Sequence, residues 1–482
     1  MKSYWLFALA AMLGAQTSTF TARAEDTNTV ELIEQLQRRI EELEEKVKGL
    51  ERSKTAAEEQ NAAKAKEAEA KAKENEAKAN EGEAQAKQQI GELDEKVKIL
   101  QRERELDQEA ADAKAKEMPK ITAGSDGFGI SSADGAFGLQ FHGVLQVDSR
   151  TFFDDGGING NDGFLIRRAR PILQGTVFRD FDFLFVPDFA PSTGPTIFDA
   201  SVNYRYNPAL QLQAGKFKSP IGLEQLQADV DTLFNERALP TDLVPNRDVG
   251  FALHGDLYGG VVSYTAGIFT GVGDARNSSN VSFDDSKAYE GRLFLQPFRN
   301  ASVAALQGFG FGVSGSYQDL QGTNVVALPA TTGGSLPGFV TDGQEQFFAY
   351  NPASNAVVVA EGVHWRLSPQ GYYYYGPFGF LGEYVISDQQ VGRTVTRPFT
   401  SAHLDNRGWE VSGSWVLTGE DAAFKGRVAP RHPFDPFEGR WGALQLVARY
   451  AHLDVDDAAF PLFSNPNTSA RSAAAWSVGL NW

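Results

Sequence analysis

The chain has 482 residues, no cysteine and a formal net charge of −17 at pH 7. A chain without cysteine has no disulfides, no thiol catalysis and no thiolate metal sites, and an acidic balance argues against nucleic-acid binding, which needs a basic contact surface. The length allows two or three domains.

The N-terminus has the organisation of a secretory signal peptide. Lys2 supplies a positive charge, residues 4–15 form an apolar run, and Ala22, Arg23 and Ala24 match an A-x-A cleavage site. The apolar run is too short to cross a bilayer as a helix. We therefore predict that residues 1–24 are a signal peptide that is removed on export.

Residues 30–118 are predicted to form a periplasmic coiled-coil arm. They are rich in Ala, Glu and Lys, and apolar residues recur with the alternating three- and four-residue spacing of a heptad seam. The phrase Ile40–Arg52 returns in similar form at Ile90–Arg102. The predicted seam residues are Ile33, Leu36, Ile40, Leu43, Val47, Leu50, Ile90, Leu93, Val97 and Leu100.

Several interpretations of this arm are open. One continuous helix would extend about 130 Å at 1.5 Å per residue, whereas an Ala-rich middle containing Gly82 and Gly91 would separate two coiled-coil clamps. Ile or Val at one seam position and Leu at the other favours a parallel dimer, but a trimeric barrel would impose its own symmetry. A solvated helix without a partner is the remaining interpretation. We favour an oligomerisation arm, with cell-wall contact as a further hypothesis.

Pro119 ends the predicted helix, and a Gly/Ser/Asp-rich linker is predicted at 119–135. From 136 to 482, short segments alternate apolar and polar residues; Leu446 and Tyr450, for example, are in phase with each other and out of phase with Gln445 and Arg449. Alternate residues of a strand face opposite sides. Because Arg costs about 2–4 kcal/mol at the bilayer midplane, the polar face must line water. The pattern predicts an all-β transmembrane barrel in outer-membrane lipid.

Several motifs then resemble the phosphate-selective porin O/P family and occur in the expected order. They are Phe164–Arg170, Pro187–Ala190, Ala214–Glu224, Phe234–Arg237, Arg247–Gly250 and Gly479–Trp482. The resemblance spans most of residues 135–482. It implies a homotrimeric outer-membrane channel of sixteen strands, in which a long loop folds inward to constrict the pore and basic side chains attract anions.

The strand count and the C-terminus are linked. About fifteen candidate strands are visible, and because single-chain bacterial barrels use even numbers, we predict about sixteen antiparallel strands. Trp482 has the aromatic character of a final strand. In the resembling family, however, a stretch like Gly479–Trp482 is followed by at least one further strand. Either the barrel closes differently or the chain is incomplete at its C-terminus.

The predicted inward loop is Ile221–Asn246, and its apolar residues are expected to pin it against the inner wall: Leu223, Leu226, Val230, Leu233 and Phe234. In residues 119–482, Arg outnumbers Lys by 20 to 5, and the planar guanidinium suits phosphate or carboxylate. The candidate pore-lining residues are Arg168, Arg170, Arg205, Lys216, Lys218, Arg237, Arg247, Arg292 and Arg449.

Structural pairing is an equally good interpretation of any single arginine, for example Arg292 with Glu290 or Arg205 with Asp199. Residues 223–246 also contain five carboxylates, one arginine and no lysine. Such an acidic loop weakens the case for tight phosphate binding and favours a mild selectivity.

The main hypothesis is a passive, trimeric outer-membrane porin for phosphate or other small anions. No motif indicates an enzyme, a cofactor or a metal site. The alternatives are a structural outer-membrane tether, in which the arm matters more than the pore, and a non-selective or sugar/carboxylate porin.

Overall fold

The computed structural model describes residues 45, 81–82, 84–112, 114, 117–124, 127–153, 160, 162–192, 194–278, 285–321, 336–351, 358–393, 400–425 and 427–482. The chain divides into two units, Met1–Ala111 and Asp112–Trp482. The predicted signal peptide lies outside the described residues. So do six predicted seam residues: Ile33, Leu36, Ile40, Leu43, Val47 and Leu50.

Residues 84–112 are helical, and their side chains are exposed. The four remaining seam residues lie on this helix with large exposed fractions: Ile90 64%, Leu93 60%, Val97 47% and Leu100 62%. None of the described helices has both the length and the apolar character needed to cross a membrane. The helix therefore presents an apolar seam to its surroundings.

In the second unit, sixteen strands form one antiparallel sheet and two short strands form a separate hairpin. The strands are β1 Lys120–Gly124, β2 Gly127–Ser131, β3 Gly138–Arg150, β4 Gly163–Val177, β5 Phe181–Asp188, β6 Thr196–Asn207, β7 Leu210–Lys218, β8 Arg247–Leu257, β9 Val262–Phe269, β10 Ala288–Leu295, β11 Phe309–Gln321, β12 Phe339–Val340, β13 Gln346–Phe348, β14 Val358–Tyr375, β15 Phe378–Arg393, β16 Thr400–Val416, β17 Gln445–Asp454 and β18 Ser472–Asn481. The helices are single turns, Leu223–Leu226, Leu239–Leu243, Ala304–Gln307 and Asp457–Ala459.

Each sheet strand pairs with the next along the chain, except that the β12–β13 hairpin lies between β11 and β14. The sheet has the predicted total of sixteen antiparallel strands, but the division of the chain differs. β1 and β2 lie in the range predicted as a linker, so fourteen of the sixteen strands lie in 136–482. Within the described residues, β1 and β18 are not paired with each other, so the sheet is open along that edge.

The sheet curls around the inward segment, residues 221–246. Arg150 of β3 donates a hydrogen bond to Glu236 (2.9 Å), and Asn481 of β18 donates one to the carbonyl of Leu233 (3.0 Å). The third and the last strand of the sheet thus contact the same short stretch of chain. The enclosed space is called the lumen below.

Alternation along the strands separates the two faces, as β16 illustrates. Trp409, Val411 and Trp415 are exposed on the outer face, whereas Glu410 and Ser412 are buried on the inner face. The two tryptophans are six residues apart, or about 20 Å at 3.4 Å per residue, which fits the roughly 25 Å apolar band of an outer-membrane strand. Aromatic neighbours extend both levels to other strands: Tyr450 packs on Trp409 and Trp476 on Tyr450, while Phe378 packs on Trp415.

The inner face is not polar throughout. Near the ends of β14–β17, the β12–β13 hairpin and the inward segment bury a shared apolar cluster, in which Phe339 and Phe348 stack at 5.1 Å. Its other members include Ile221, Leu239 and Leu243, each at most 2% exposed. These three residues were not in the predicted apolar set. Of that set, Leu223 and Leu233 are buried, whereas Val230 is 45% exposed.

A second segment fills the same side of the lumen from the other end. At the end of the lumen opposite the start of the inward segment, most turns are short, such as 178–180, 208–209 and 376–377. The connection from β16 to β17 at that end is longer and covers 417–444. Its Phe424 stacks on Tyr372 at 4.6 Å and packs near Leu223. Its Arg427 lies 3.6 Å from Asp231 of the inward segment. The β10–β17 side of the lumen is therefore packed from both ends.

Candidate permeation site

A carboxylate of the sheet wall holds the start of the inward segment. Glu383 of β15 accepts hydrogen bonds from the backbone N–H groups of Leu223 (2.7 Å) and Glu224 (3.1 Å). Further along, Asp242 accepts a hydrogen bond from the N–H of Val340 in the β12–β13 hairpin (2.7 Å). Burial raises the pKa of Asp242 to about 8. The segment is thus fixed by specific polar contacts as well as by its apolar residues.

Arg449 of β17 joins three parts of the molecule and is 2% exposed. Its guanidinium donates to Glu224 (2.9 Å), to the carbonyl of Glu236 (3.1 Å) and to Asp342 beside the β12–β13 hairpin (2.7 Å). It also lies over the Phe234 ring, 4.4 Å from the centroid. These contacts make Arg449 a fastening residue for the inward segment.

A β-bulge in β4 places two consecutive arginines in the lumen. Gln146 pairs with Arg168, but the next residue, Val147, pairs with Ile166, so Arg167 is the extra residue. A bulge breaks the two-residue alternation. Arg167 consequently donates to Glu236 of the inward segment, as expected only for a lumenal side chain. Alternation counted along the sequence assigns Arg167 to the opposite face, and it was therefore not predicted.

Arginines surround the carboxylates of the inward segment. Asp229 accepts hydrogen bonds from Arg237 (2.6 Å) and Arg170, and Arg168 lies 3.7 Å away. Burial raises the pKa of Asp229, but these three arginines outweigh it and hold the pKa well below its ordinary value. Glu236 is similarly bound by Arg150 and Arg167. The acidity that the sequence assigns to this segment is thus largely neutralised by the wall.

A second bulge lies in β6. Val186 pairs with Asp199 and Pro187 with Ile197, which leaves Phe198 as the extra residue. The Phe198 ring carries the guanidinium carbon of Arg170 at 3.6 Å from its centroid and that of Arg247 at 3.7 Å. Arg170 and Arg247 are sequence-predicted site residues, and the structure brings them together across this ring.

Three adjoining spaces, which share lining residues, lie among these residues on the β3–β9 side of the lumen. A central cavity of about 230 Å³ has four arginines and two aspartates in its lining: Arg167, Arg168, Arg170, Arg237, Asp188 and Asp229. A cavity of about 170 Å³ shares Arg167, Arg168 and Arg237 with it. A larger one of about 830 Å³ shares Arg170, Phe198 and Asp229, and also borders Lys218, Arg247 and Arg427.

Three further predicted residues donate hydrogen bonds to other parts of the chain. Lys216 donates to the carbonyl of Ser278 (2.7 Å), and Lys218 donates to the carbonyl of Gln227. Arg292 donates to Gln370 (3.1 Å) on the packed side of the lumen.

Both carboxylate pairings suggested by the sequence are wrong. Asp199 pairs with Arg247 (3.3 Å), and Arg205 pairs with Asp182 (2.8 Å) near a short turn. Glu290 accepts a hydrogen bond from Ser219 (2.6 Å). The curl of the sheet and the path of the inward segment decide these partners, and neither is visible in strand phase.

One buried network resembles a Ser-His-Asp arrangement in composition. Ser387 is 2.8 Å from His364 and 2.7 Å from Asp274, and Arg366 also donates to Asp274 (2.6 Å). Ser387 is fully buried, so no substrate reaches its hydroxyl. The network instead holds the β9–β10 connection against the wall. Among the described residues, no group of His, Asp and Glu side chains has the arrangement of a metal site.

Comparisons with known proteins give one family and several structures. Residues 139–482 match the model of the family described as phosphate-selective porin O and P. No curated protein sequence matches the chain.

Similar solved structures include in-vitro-folded OmpT of Vibrio cholerae in its trimer form (TM-score 0.43, 10% identity, 72% of this chain and 83% of that one). Outer-membrane-expressed OmpT of the same organism has a TM-score of 0.39 and 12% identity over 75% and 84% of the two chains. Salmonella typhi OmpF in complex with daunomycin has a TM-score of 0.35 and 9% identity over 72% and 99%.

Proposed function

The chain belongs to the phosphate-selective porin O and P family, which makes it an outer-membrane channel protein, and on that premise we propose that it is a passive channel with a mild preference for small anions such as phosphate. The route runs on the β3–β9 side of the lumen. The inward segment forms its constriction, and Arg150, Arg167, Arg168, Arg170 and Arg237 supply the positive field there.

The central cavity carries this proposal. Its lining has two more arginines than aspartates, and the low-dielectric walls of a narrow aqueous lumen focus the field of that excess. The same contacts explain why the preference is mild. Most of these guanidiniums already bind carboxylates of the inward segment, so an arriving anion meets a small net excess rather than a set of unpaired charges. An anion that binds weakly also leaves readily, as conduction requires.

Planar-bilayer recording in a KCl gradient tests the proposal. We expect the reversal potential of the wild-type channel to indicate chloride preference and to move towards zero in Arg168→Gln, which removes one charge from the central cavity. Arg205→Gln is the matched control, because it removes the same charge beside Asp182, outside the three cavities. A wild-type channel that prefers potassium would overturn the proposal. Competition of chloride current by added phosphate then tests phosphate as the permeant.

We also propose that residues 30–118 form a periplasmic coiled-coil arm that stabilises a homotrimer after removal of residues 1–24. The exposed seam Ile90, Leu93, Val97 and Leu100 supports this part, because four large apolar side chains on one helix are unfavourable in water without a partner. The parallel neighbour would be a second copy of the same helix. Contact of the arm with the cell wall is the further part of this hypothesis.

Leu93→Lys together with Leu100→Lys tests the arm. Chemical crosslinking in whole cells should yield fewer trimers for the double variant, whereas Lys96→Glu with Lys98→Glu, off the seam, should leave the trimer yield unchanged. Equal yields in all three proteins would remove the arm from oligomerisation. Co-sedimentation with isolated cell walls tests the wall contact separately.

A further inference from the structure

The ring of Phe198 separates two guanidinium groups. The centroid distances of 3.6 Å to Arg170 and 3.7 Å to Arg247 are too short for an approach at the ring edge, so both groups lie over ring faces. Two guanidiniums at such distances fit only on opposite faces. The two positive charges are thus held about 7 Å apart by one phenyl ring.

The edges of both guanidiniums are occupied as well. Arg170 donates through Nε to Asp188 (2.6 Å) and through Nη1 to Asp229. Arg247 donates through Nε and Nη2 to Asp199 (3.3 and 3.5 Å). Carboxylates at the edges and a ring at the face define the plane of each group. Neither charge can turn without losing one of these contacts.

This stack lies at a junction. Phe198 and Arg170 line both the central cavity and the large cavity, whereas Arg247 lines only the large one. An anion passing from the first space to the second therefore moves from the field of Arg170 to the field of Arg247, past the Phe198 ring.

We propose that Phe198 is a positioning residue for permeation: its ring keeps Arg170 and Arg247 as two separate cationic stations on either side of the junction between the cavities. This inference rests on the proposed anion preference. The negative faces of the phenyl ring attract both cations. Arg247, at 3.3 and 3.5 Å from Asp199, is held short of full closure onto that carboxylate. Without the ring, Arg247 has room to form a closer bidentate pair with Asp199. The positive field of Arg247 at the junction between the cavities is then weaker.

The alternative role for Phe198 is simple packing, since the side chain is 8% exposed. Packing requires only an apolar side chain of suitable volume, whereas positioning requires an aromatic face. Phe198→Leu and Phe198→Tyr separate the two roles. Phe269→Leu is the matched control, because Phe269 is a buried lumenal phenylalanine packed edge-to-face on Phe217 (5.4 Å) and borders neither the central nor the large cavity.

The experiment measures the chloride-to-potassium permeability ratio of the full-length channel in planar bilayers. We expect Phe198→Leu to lower the ratio by roughly threefold, the scale of one lost cation–π contact, and Phe198→Tyr to retain the wild-type ratio. Phe269→Leu should lower thermal stability in detergent without changing the ratio. Arg247→Lys, which keeps the charge but has no planar group to stack, should shift the ratio in the same direction and serves if Phe198→Leu does not fold.

The outcomes are distinct. A wild-type channel without anion preference overturns both the proposed function and the role of Phe198. An anion-preferring wild type whose ratio is unchanged in Phe198→Leu and Arg247→Lys overturns only the role of Phe198. A loss of preference in Phe198→Tyr as large as in Phe198→Leu also overturns it, because the aromatic face is present in one variant and absent in the other.

Discussion

The two sides of the lumen differ in chemistry although the same kind of strand builds them. On the β3–β9 side, arginines and carboxylates surround adjoining cavities. On the β10–β17 side, the inward segment and the β12–β13 hairpin bury apolar side chains such as Phe348 and Leu404, and Ala422 and Phe424 pack near Tyr374. A strand therefore specifies only that a residue faces inward. The segment that it meets there decides whether that face is wet or packed.

The largest expected effect comes from Arg449→Leu, since Arg449 fastens the inward segment to both the wall and the hairpin. Removing it leaves Glu224 and Asp342 without their cation, a loss of about 3–5 kcal/mol for a buried pair. We expect a larger and noisier single-channel conductance in planar bilayers as the constriction loosens. Arg449→Lys keeps the charge but lacks the several N–H donors of a guanidinium, so its conductance should lie between those of wild type and Arg449→Leu. A conductance equal to wild type in Arg449→Leu would mean that the apolar contacts alone hold the segment.

The next effect tests the packed side of the lumen alone. Phe424→Ala removes the ring that stacks on Tyr372 and should cost less than the about 3–5 kcal/mol of a fully buried phenylalanine, because Phe424 is half-buried. We expect faster entry of large neutral sugars in liposome swelling and an unchanged reversal potential in a KCl gradient. A changed reversal potential would show that the packed side contributes to ion selectivity.

A smaller effect is expected from pH. The pKa of Asp242 is raised from 3.8 to about 8, so the folded protein favours the protonated side chain. The stabilisation of the inward segment is complete below pH 3.8 and declines as pH rises towards 8. Ionisation also adds a negative charge to the cavity of about 170 Å³. We expect the anion preference, measured by reversal potential, to fall between pH 7 and 9 in wild type but not in Asp242→Asn. If the reversal potential changes with pH in the same way in both proteins, the titrating group is not Asp242.

The smallest expected effect is that of Arg205→Gln. Arg205 was predicted to line the pore, but it pairs with Asp182 near a turn, and its side chain is 44% exposed. An exposed pair of this kind contributes about 0–1 kcal/mol. We expect thermal stability in detergent to change within that range and the reversal potential to stay at the wild-type value. A clear shift in selectivity would extend the anion route to this end of the lumen.

Some of these positions were predicted from the sequence. Arg168, Arg170 and Arg449 were placed on the lumenal face by alternation, and the inward course of 221–246 was implied by the family resemblance. Arg167 and Phe198 were missed because each is the extra residue of a bulge. A bulge depends on the register between two strands, so the sequence of one strand carries no sign of it.

The amino-acid sequence by itself determined the alternating strands, the exposed apolar face, the family and the excess of arginine in the barrel region. These properties follow from local side-chain chemistry and the two-residue period of a strand. Only the tertiary structure decided which arginines meet which carboxylates, which side of the lumen is packed, and where two guanidiniums share one ring. Those contacts join residues far apart in sequence, since they arise when the sheet curls around the segments folded inside it.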